Sequence, residues 1–342
     1  MHASTRAWNA HHRKLCKILP GFMASRAFQS SPMHIQLESL LLSRLVVEHF
    51  SSPNIEPLGE RDEGKLTDRD ILLTLLPHPR PPALPPLPPI VVGMCQSFGH
   101  DLARRLVSRS INNHWVVYSS NLKPIAHAVV PQASRCFNHS CQPSAIQVYN
   151  FDSIGPLMEV RALNDMESGT EITVPYLDPA HPYSVRQDAL RSTYGFTCTC
   201  SRCLFDSSIA SSIPPTPPNS SDYLRFHGSL VDLVFGVANS LASETLIPSM
   251  SIDRLPPDLY VLLNRSHLPY LSARFSDASH DGIHPMASDA GLALLAMYLI
   301  IYPSHYPLTG LHSLELAKVL ISRFLSTCRF ALPCSLPKDR ME

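Results

Sequence analysis

The run YGFTCTCSRC, residues 194–203, holds Cys198, Cys200 and Cys203 as C-x-C-x2-C, and it restricts this chain more than any other feature. Three thiolates on so short a loop converge on one soft cation, and zinc takes four ligands in a tetrahedron. The fourth must come from elsewhere, and Cys141, inside NHSC (138–141), is the candidate. A cation held this way ties a late segment to a loop more than fifty residues upstream. Structural zinc contributes on the order of 10 kcal/mol in small modules, enough to decide whether such a junction forms. The alternative is four reduced cysteines used as small hydrophobes.

The remaining composition narrows the class. Lys plus Arg number 28 and Asp plus Glu 28, so no global charge bias points to nucleic acid or an anionic membrane. The longest apolar run, AGLALLAMYLIIY (290–302), is short for a bilayer span and reads as a buried helix. No compact apolar core of a signal peptide stands at the start, so a reducing interior, nucleus or cytoplasm, is the expectation for nine cysteines. Residues 1–37 lack Asp and Glu but carry Arg6, Arg13, Lys14, Lys17 and Arg26, which keeps mitochondrial import as a minority reading.

Along the chain, IQLESLLLSRLVVEHF (35–50) has helical spacing, and DRDILLTLL (68–76) offers Asp68 as the N-cap of a second helix. PHPRPPALPPLPP (77–89), with eight prolines in thirteen positions, reads as an extended, solvated linker. Helical spacing returns over 98–112. Short β-like runs follow: WVVY (115–118), AIQVY (145–149), LMEVRA (157–162) and EITVPY (171–176). ASSIPPTPPNSS (210–221) forms a second linker, and the chain beyond it is mostly helical, LHSLELAKVLISRFL (311–325) most clearly.

NHSCQP, GTEITVPYLDP and YGFTCTCSRC, in that order, resemble the signature of SET-domain protein lysine methyltransferases. Residues 106–141 and YPLTGLHSLELAKVL (306–320) look most like the SET-and-MYND branch, and His12-x3-Cys16 with Trp8 resembles the tail of a MYND zinc finger. The resemblance implies an α+β chain: an irregular β-rich SET fold with a zinc-bound post-SET segment, then an α-helical C-terminal lobe. It divides the chain into a finger remnant (1–30), a helical segment (31–76), a proline-rich insertion (77–97), a SET core (98–195), a post-SET zinc segment (196–209), a linker (210–222) and the helical lobe (223–342).

The same resemblance implies roles. Asn138 and His139 match the pair that holds S-adenosyl-L-methionine. Asn113 matches an asparagine that seats the same cofactor, with Asn112 its immediate competitor, and Phe196 resembles a cofactor contact. Tyr176 and Tyr194 match the tyrosines of the methyl-transfer site and lysine channel. Cys141, Cys198, Cys200 and Cys203 match the zinc ligands. Each has a plain structural alternative: a hydrogen-bonded turn for Asn138 and His139, and ordinary core for the aromatics.

The sequence departs from the pattern in three places, one of them the proline-rich stretch that interrupts the region before the SET core. The chain has no Gly-rich G-R-G segment ahead of the finger, and Ser144 stands where the family has Asn after NHSC-x-P. The expectation is an N-terminally incomplete chain with impaired cofactor binding. The function implied is methyl transfer to the ε-amine of a lysine in a histone or non-histone protein, with no nucleic-acid or membrane partner. The alternative is a non-catalytic, zinc-stabilised interaction module.

Overall fold

Helix α1 (Met33–His49) turns Leu42, Val46 and Val47 fully inward. There they meet Ile71 and Leu72 of α2 (Asp68–Thr74), Val91 and Cys95 of α3 (Pro89–Ser97), and Leu102, Leu106 and Val107 of α4 (Leu102–Asn113). Burial of such side chains contributes about 1.5–3 kcal/mol each, so this four-helix layer is the first of two main cores. The computed structural model describes residues 8–50, 67–80, 83–99, 101–152, 155–215, 220–236 and 250–331.

Two expectations change in this layer. The cap of α2 is Thr67, not Asp68: its hydroxyl accepts the Asp70 N–H at 3.3 Å while the Asp70 carboxylate accepts the Thr67 N–H at 3.0 Å. This reciprocal capping box satisfies two otherwise orphaned donors, which Asp68 is not placed to do. Nor is the run 77–89 solvated throughout. Its last residue, Pro89, opens α3 as the first-turn proline, where a missing N–H is no loss. Ahead of it, Pro85 and Pro88 are buried.

The segment before the prolines is strapped to α4. Arg109 Nε donates to Leu73 O at 3.0 Å, Asn113 Nδ2 to Leu76 O at 2.9 Å, and the His78 N–H to Ser108 O at 2.7 Å.

Among the described residues the β region consists of three two-stranded pairs rather than a continuous sheet. β1 (Trp115–Tyr118) runs antiparallel to β2 (Pro124–Ala128), and β4 (Ala145–Asp152) antiparallel to β5 (Gly155–Ala162). β3 (Asn138–His139) pairs in parallel with β6 (Thr173–Val174). EITVPY thus yields only two strand residues, because Pro175 removes a ladder donor. Ser144 fixes this junction: its hydroxyl accepts the Thr173 N–H at 2.9 Å.

After α5 (Tyr183–Ala189) and α6 (Ser201–Ile209) comes the helical lobe. Helix α7 (Ser220–Val231) begins inside the stretch read as linker 210–222, of which residues 216–219 lie outside the described residues. α8 (His267–His280), α9 (His284–Ile301) and α10 (Pro307–Ala331) complete the lobe. Helix α9 is long and apolar enough, by length and composition, to cross a membrane, but 61% of it is buried against its neighbours. Gly291 permits that closeness: a Cβ there would lie 2.7 Å from Leu316 and 2.8 Å from Phe275.

The N-terminal region is a series of short helical turns up to Gln29. Cys16 is an exposed thiol, and Trp8 lies 5.5 Å from His12, ring to ring.

Candidate active site and metal centre

Cys141, directly after β3, meets Cys198 and Cys200 of the loop before α6 and Cys203 of its first turn. One ligand atom from each lies within 4.8 Å of all the others. Among the described residues this is the group of His, Cys, Asp or Glu side chains so gathered. Tetrahedral zinc at about 2.3 Å per bond puts its sulfurs roughly 3.8 Å apart, and Cys203 and Cys141 already stand at 3.5 Å. Hydrogen bonding among the four thiols pulls Cys198 and Cys200 down and leaves Cys141 and Cys203 raised, so the fit to a metal rests on the convergence of the four sulfurs. The donor set fits zinc.

Around the thiols lies a shell that sequence reasoning missed. Gln187 clamps the loop backbone, donating to Cys198 O at 2.9 Å and accepting the Cys198 N–H at 3.1 Å. Ser201 Oγ donates to Gln142 Oε1 at 3.0 Å, tying the two distant segments directly. The fully buried Arg186 donates from Nε to Cys141 Sγ at 3.2 Å. Arg and Gln on a short helix read as surface residues, and no motif in the sequence marks these two otherwise.

His139 belongs to this shell. Its Nδ1 accepts the Tyr176 N–H at 3.0 Å, which leaves the proton on Nε2, 3.2 Å from Cys141 Sγ. The imidazole therefore joins the transfer-site tyrosine to the thiol centre. Tyr176 in turn lies 4.9 Å from Tyr194, and Phe196 lies 6.4 Å from Tyr194 and 6.1 Å from His139. Four of the residues singled out by sequence thus form one aromatic cluster. Gly195, at φ +78°, makes the turn between the last two, with Pro79 of the proline-rich segment 3.4 Å from where a Cβ would stand.

Tyr176 and Tyr194 also face a cavity of about 480 Å³. Its other walls are Asn112 and Asn113 at the end of α4, Trp115 and Tyr118 of β1, Gln147 and Tyr149 of β4, and Tyr306 and Leu308 of the helical lobe. The volume lies in the range of small-molecule and cofactor sites. Asn138, His139 and Phe196 are not among its walls; the Asn138 amide donates instead to Glu171 Oε1 at 2.6 Å. The Asn113 amide is committed to Leu76 O and Arg109 O. By contrast, Asn112 Oδ1, Gln147 Oε1 and Tyr149 OH are buried without a protein partner among the described residues. These polar atoms on the wall fit a polar ligand such as S-adenosyl-L-methionine.

Burial, then the neighbouring Tyr176, pushes the Tyr194 phenol up to about 12; burial, then Glu171, raises Tyr176. Both remain protonated at neutral pH. Tyr176 donates its hydroxyl hydrogen to Phe137 O at 2.6 Å. The helical lobe closes the far side: Tyr302 OH donates to Asp178 Oδ1 at 2.8 Å and its ring stacks on Tyr306 at 4.3 Å.

Comparison with known proteins agrees with this geometry. The SET domain family matches residues 28–177, taking in the helical layer and proline-rich segment as well as the β region. The chain is 36% identical over 91 residues to N-lysine methyltransferase SMYD2 of Gallus gallus, covering 27% of this chain and 20% of that protein. The human SMYD2 match is 35% identical over 91 residues. Human histone-lysine N-methyltransferase SMYD3 is 25% identical over 214 residues, 62% of this chain and 48% of that protein. The matched stretches thus span from a fifth to about half the length of these relatives. Residues 28–177 thus match a SET domain, and the chain is similar to proteins of the SET-and-MYND family.

Proposed function

We propose that this chain catalyses transfer of a methyl group from S-adenosyl-L-methionine to the ε-amine of a protein lysine. The observation that carries the reading is the Tyr176–Tyr194 pair, 4.9 Å apart on the cavity wall and held from behind by the thiol centre through His139. The activities named for the relatives, N-lysine and histone-lysine methylation, point the same way.

When bound, the sulfonium cofactor supplies an electrophilic methyl group, and zinc supplies the anchor for the 198–203 loop through Cys141, Cys198, Cys200 and Cys203. The protein's own work is alignment and exclusion of water. Two tyrosine faces attract the lysine ammonium on arrival, and burial then favours the neutral amine by withdrawing water from the charged form. The Tyr176 hydroxyl spends its proton on Phe137 O, so its remaining lone pair accepts an amine N–H and fixes the nitrogen's direction. Asn112 offers its unpartnered Oδ1 to a cofactor amino group, while Asn113 holds the end of α4 in place. His139 and Phe196 keep the tyrosines in position, while Asn138 ties β3 to Glu171.

The test is calorimetric titration of the zinc-replete chain with S-adenosyl-L-methionine, combined with transfer of labelled methyl to lysine-bearing peptides. Saturable binding, with label on lysine that falls roughly 100-fold in Tyr176→Phe, is the expected result. Neither binding nor label in the wild-type chain would overturn the reading in favour of a zinc-stabilised interaction module.

A further inference from the structure

The Arg186 guanidinium is fully buried and stands between two bodies of the protein. On one side Nε donates to Cys141 Sγ at 3.2 Å, and Nη2 lies 3.9 Å from Cys203 Sγ. On the other, Nη2 donates to Asp206, and Nη1 donates to the backbone carbonyls of His181 and, at 3.4 Å, of Pro179. Asp206 also accepts from Arg202 Nε at 2.9 Å, and Arg202 Nη1 reaches Ile301 O at 3.3 Å, at the end of α9. A second route converges there. The loop that Arg186 pins at 179 and 181 presents Asp178, which takes the hydroxyl of Tyr302, and Tyr302 stacks on Tyr306 in the cavity wall.

We propose that Arg186 is a positioning residue that couples occupancy of the thiolate centre to the seating of the helical lobe against the cavity. The proposal rests on the metal reading of the four cysteines. Four thiolates around a divalent cation leave two net negative charges, which a buried guanidinium partly offsets through charge-assisted hydrogen bonds. The cation fixes the Cys141 sulfur where Arg186 meets it. Arg186 then has one place to stand, and with it Asp206, Arg202 and the 178–181 loop. Without the cation, nothing holds that sulfur, and the two routes to Ile301 and Tyr302 slacken together. A coupling of this kind is reciprocal: loosening the lobe end must also loosen the metal.

Two measurements test it on the full zinc-loaded chain. In hydrogen exchange, stripping the metal with a chelator should raise exchange over 298–308 by about tenfold. Arg186→Lys should already show raised exchange there and respond no further, whereas Arg191→Lys, an exposed pair with Asp188, should behave as wild type. In metal release to a chromophoric chelator, Arg202→Met, which touches no ligand sulfur, should release zinc about tenfold faster, the scale of outer-shell substitutions. Exchange over 298–308 that ignores metal, or wild-type release from Arg202→Met, overturns the coupling. Should Arg186→Lys fail to fold, the Arg202→Met release rate decides. Zinc bound without coupling overturns this inference alone; no zinc in the wild type overturns the metal reading and the coupling together.

Discussion

Tyr176 and Tyr194 stand with ring centroids 4.9 Å apart and planes tilted by 41°, though eighteen residues separate them in the chain. Each is fixed by a different device. Tyr176 is held at both ends, by Phe137 O on its hydroxyl and His139 on its N–H, whereas Tyr194 is held by the turn that follows it. Tyr176→Phe should therefore keep the tilted ring pair but free the Phe137 carbonyl and remove the acceptor for the amine. The expected outcome is a fall in kcat of roughly 100-fold, with stability lowered by about 1 kcal/mol. Labelled-methyl transfer and urea unfolding measure the two effects separately, and an unchanged kcat would remove Tyr176 from the chemistry.

Gly195 sets the turn that separates Tyr194 from Phe196. At φ +78° an L side chain is strained by about 1–2 kcal/mol, and the Pro79 contact at 3.4 Å leaves ordinary but no spare room. Gly195→Ala should lower stability by about that amount, and Gly195→Asn by less, because Asn tolerates the left-handed region. The substitution should also raise KM for peptide more than it lowers kcat, since it moves the Tyr194 wall. Equal stability of the Ala variant and wild type would show that the turn carries no strain.

How much of this was legible in the sequence differs from residue to residue. The thiol centre could be read because Cys198, Cys200 and Cys203 crowd into six positions, which core packing rarely demands, and Cys141 followed once a fourth ligand was required. Arg186 was not legible: a guanidinium reads as solvent-facing until an anionic centre is placed beside it, and that centre is assembled from two distant segments. The strand at 171–176 was overread because alternation is visible in sequence whereas the ladder's end at Pro175 depends on its partner. Helix α3 was hidden for the opposite reason, as prolines announce a break but are welcome in a first turn. His139 was recognised as part of the site, yet its facing direction depends on which backbone N–H arrives at Nδ1, here that of Tyr176.

Metal removal should act through the junction rather than locally. Purified chain should hold about one zinc, and Cys200→Ala should lose most of it, since four thiols define the set and three form a poorer tetrahedron. Stripping the metal should lower the thermal midpoint and expose the 194–203 segment to protease, as hydrogen bonds such as Ser201–Gln142, the Gln187 clamp and Arg202–Ile301 would then have to hold it without the cation. Metal analysis with limited proteolysis checks both. A stripped chain with unchanged midpoint and cleavage would mean that the sulfurs merely pack.

The helical lobe should lose stability in acid. His267 is fully buried, stacked on Tyr223 at 5.0 Å and 5.1 Å from His227. Burial, then the neighbouring His227, holds His267 down at about 3; burial, then Arg274, holds His227 at about 4. Both native values lie below the value of 6.5 for a free imidazole, so folding favours the neutral rings. Their contribution is complete above that value and is lost as pH falls through about 4 and about 3. Near pH 5 only the unfolded rings have taken up protons, which lowers stability by about 2 kcal/mol per histidine. His267→Phe keeps an aromatic ring against Tyr223 but cannot take a proton, so its urea midpoint should fall less than wild type's between about pH 7 and pH 5. If the two midpoints fall in parallel, the acid sensitivity of the lobe lies elsewhere than in this ring.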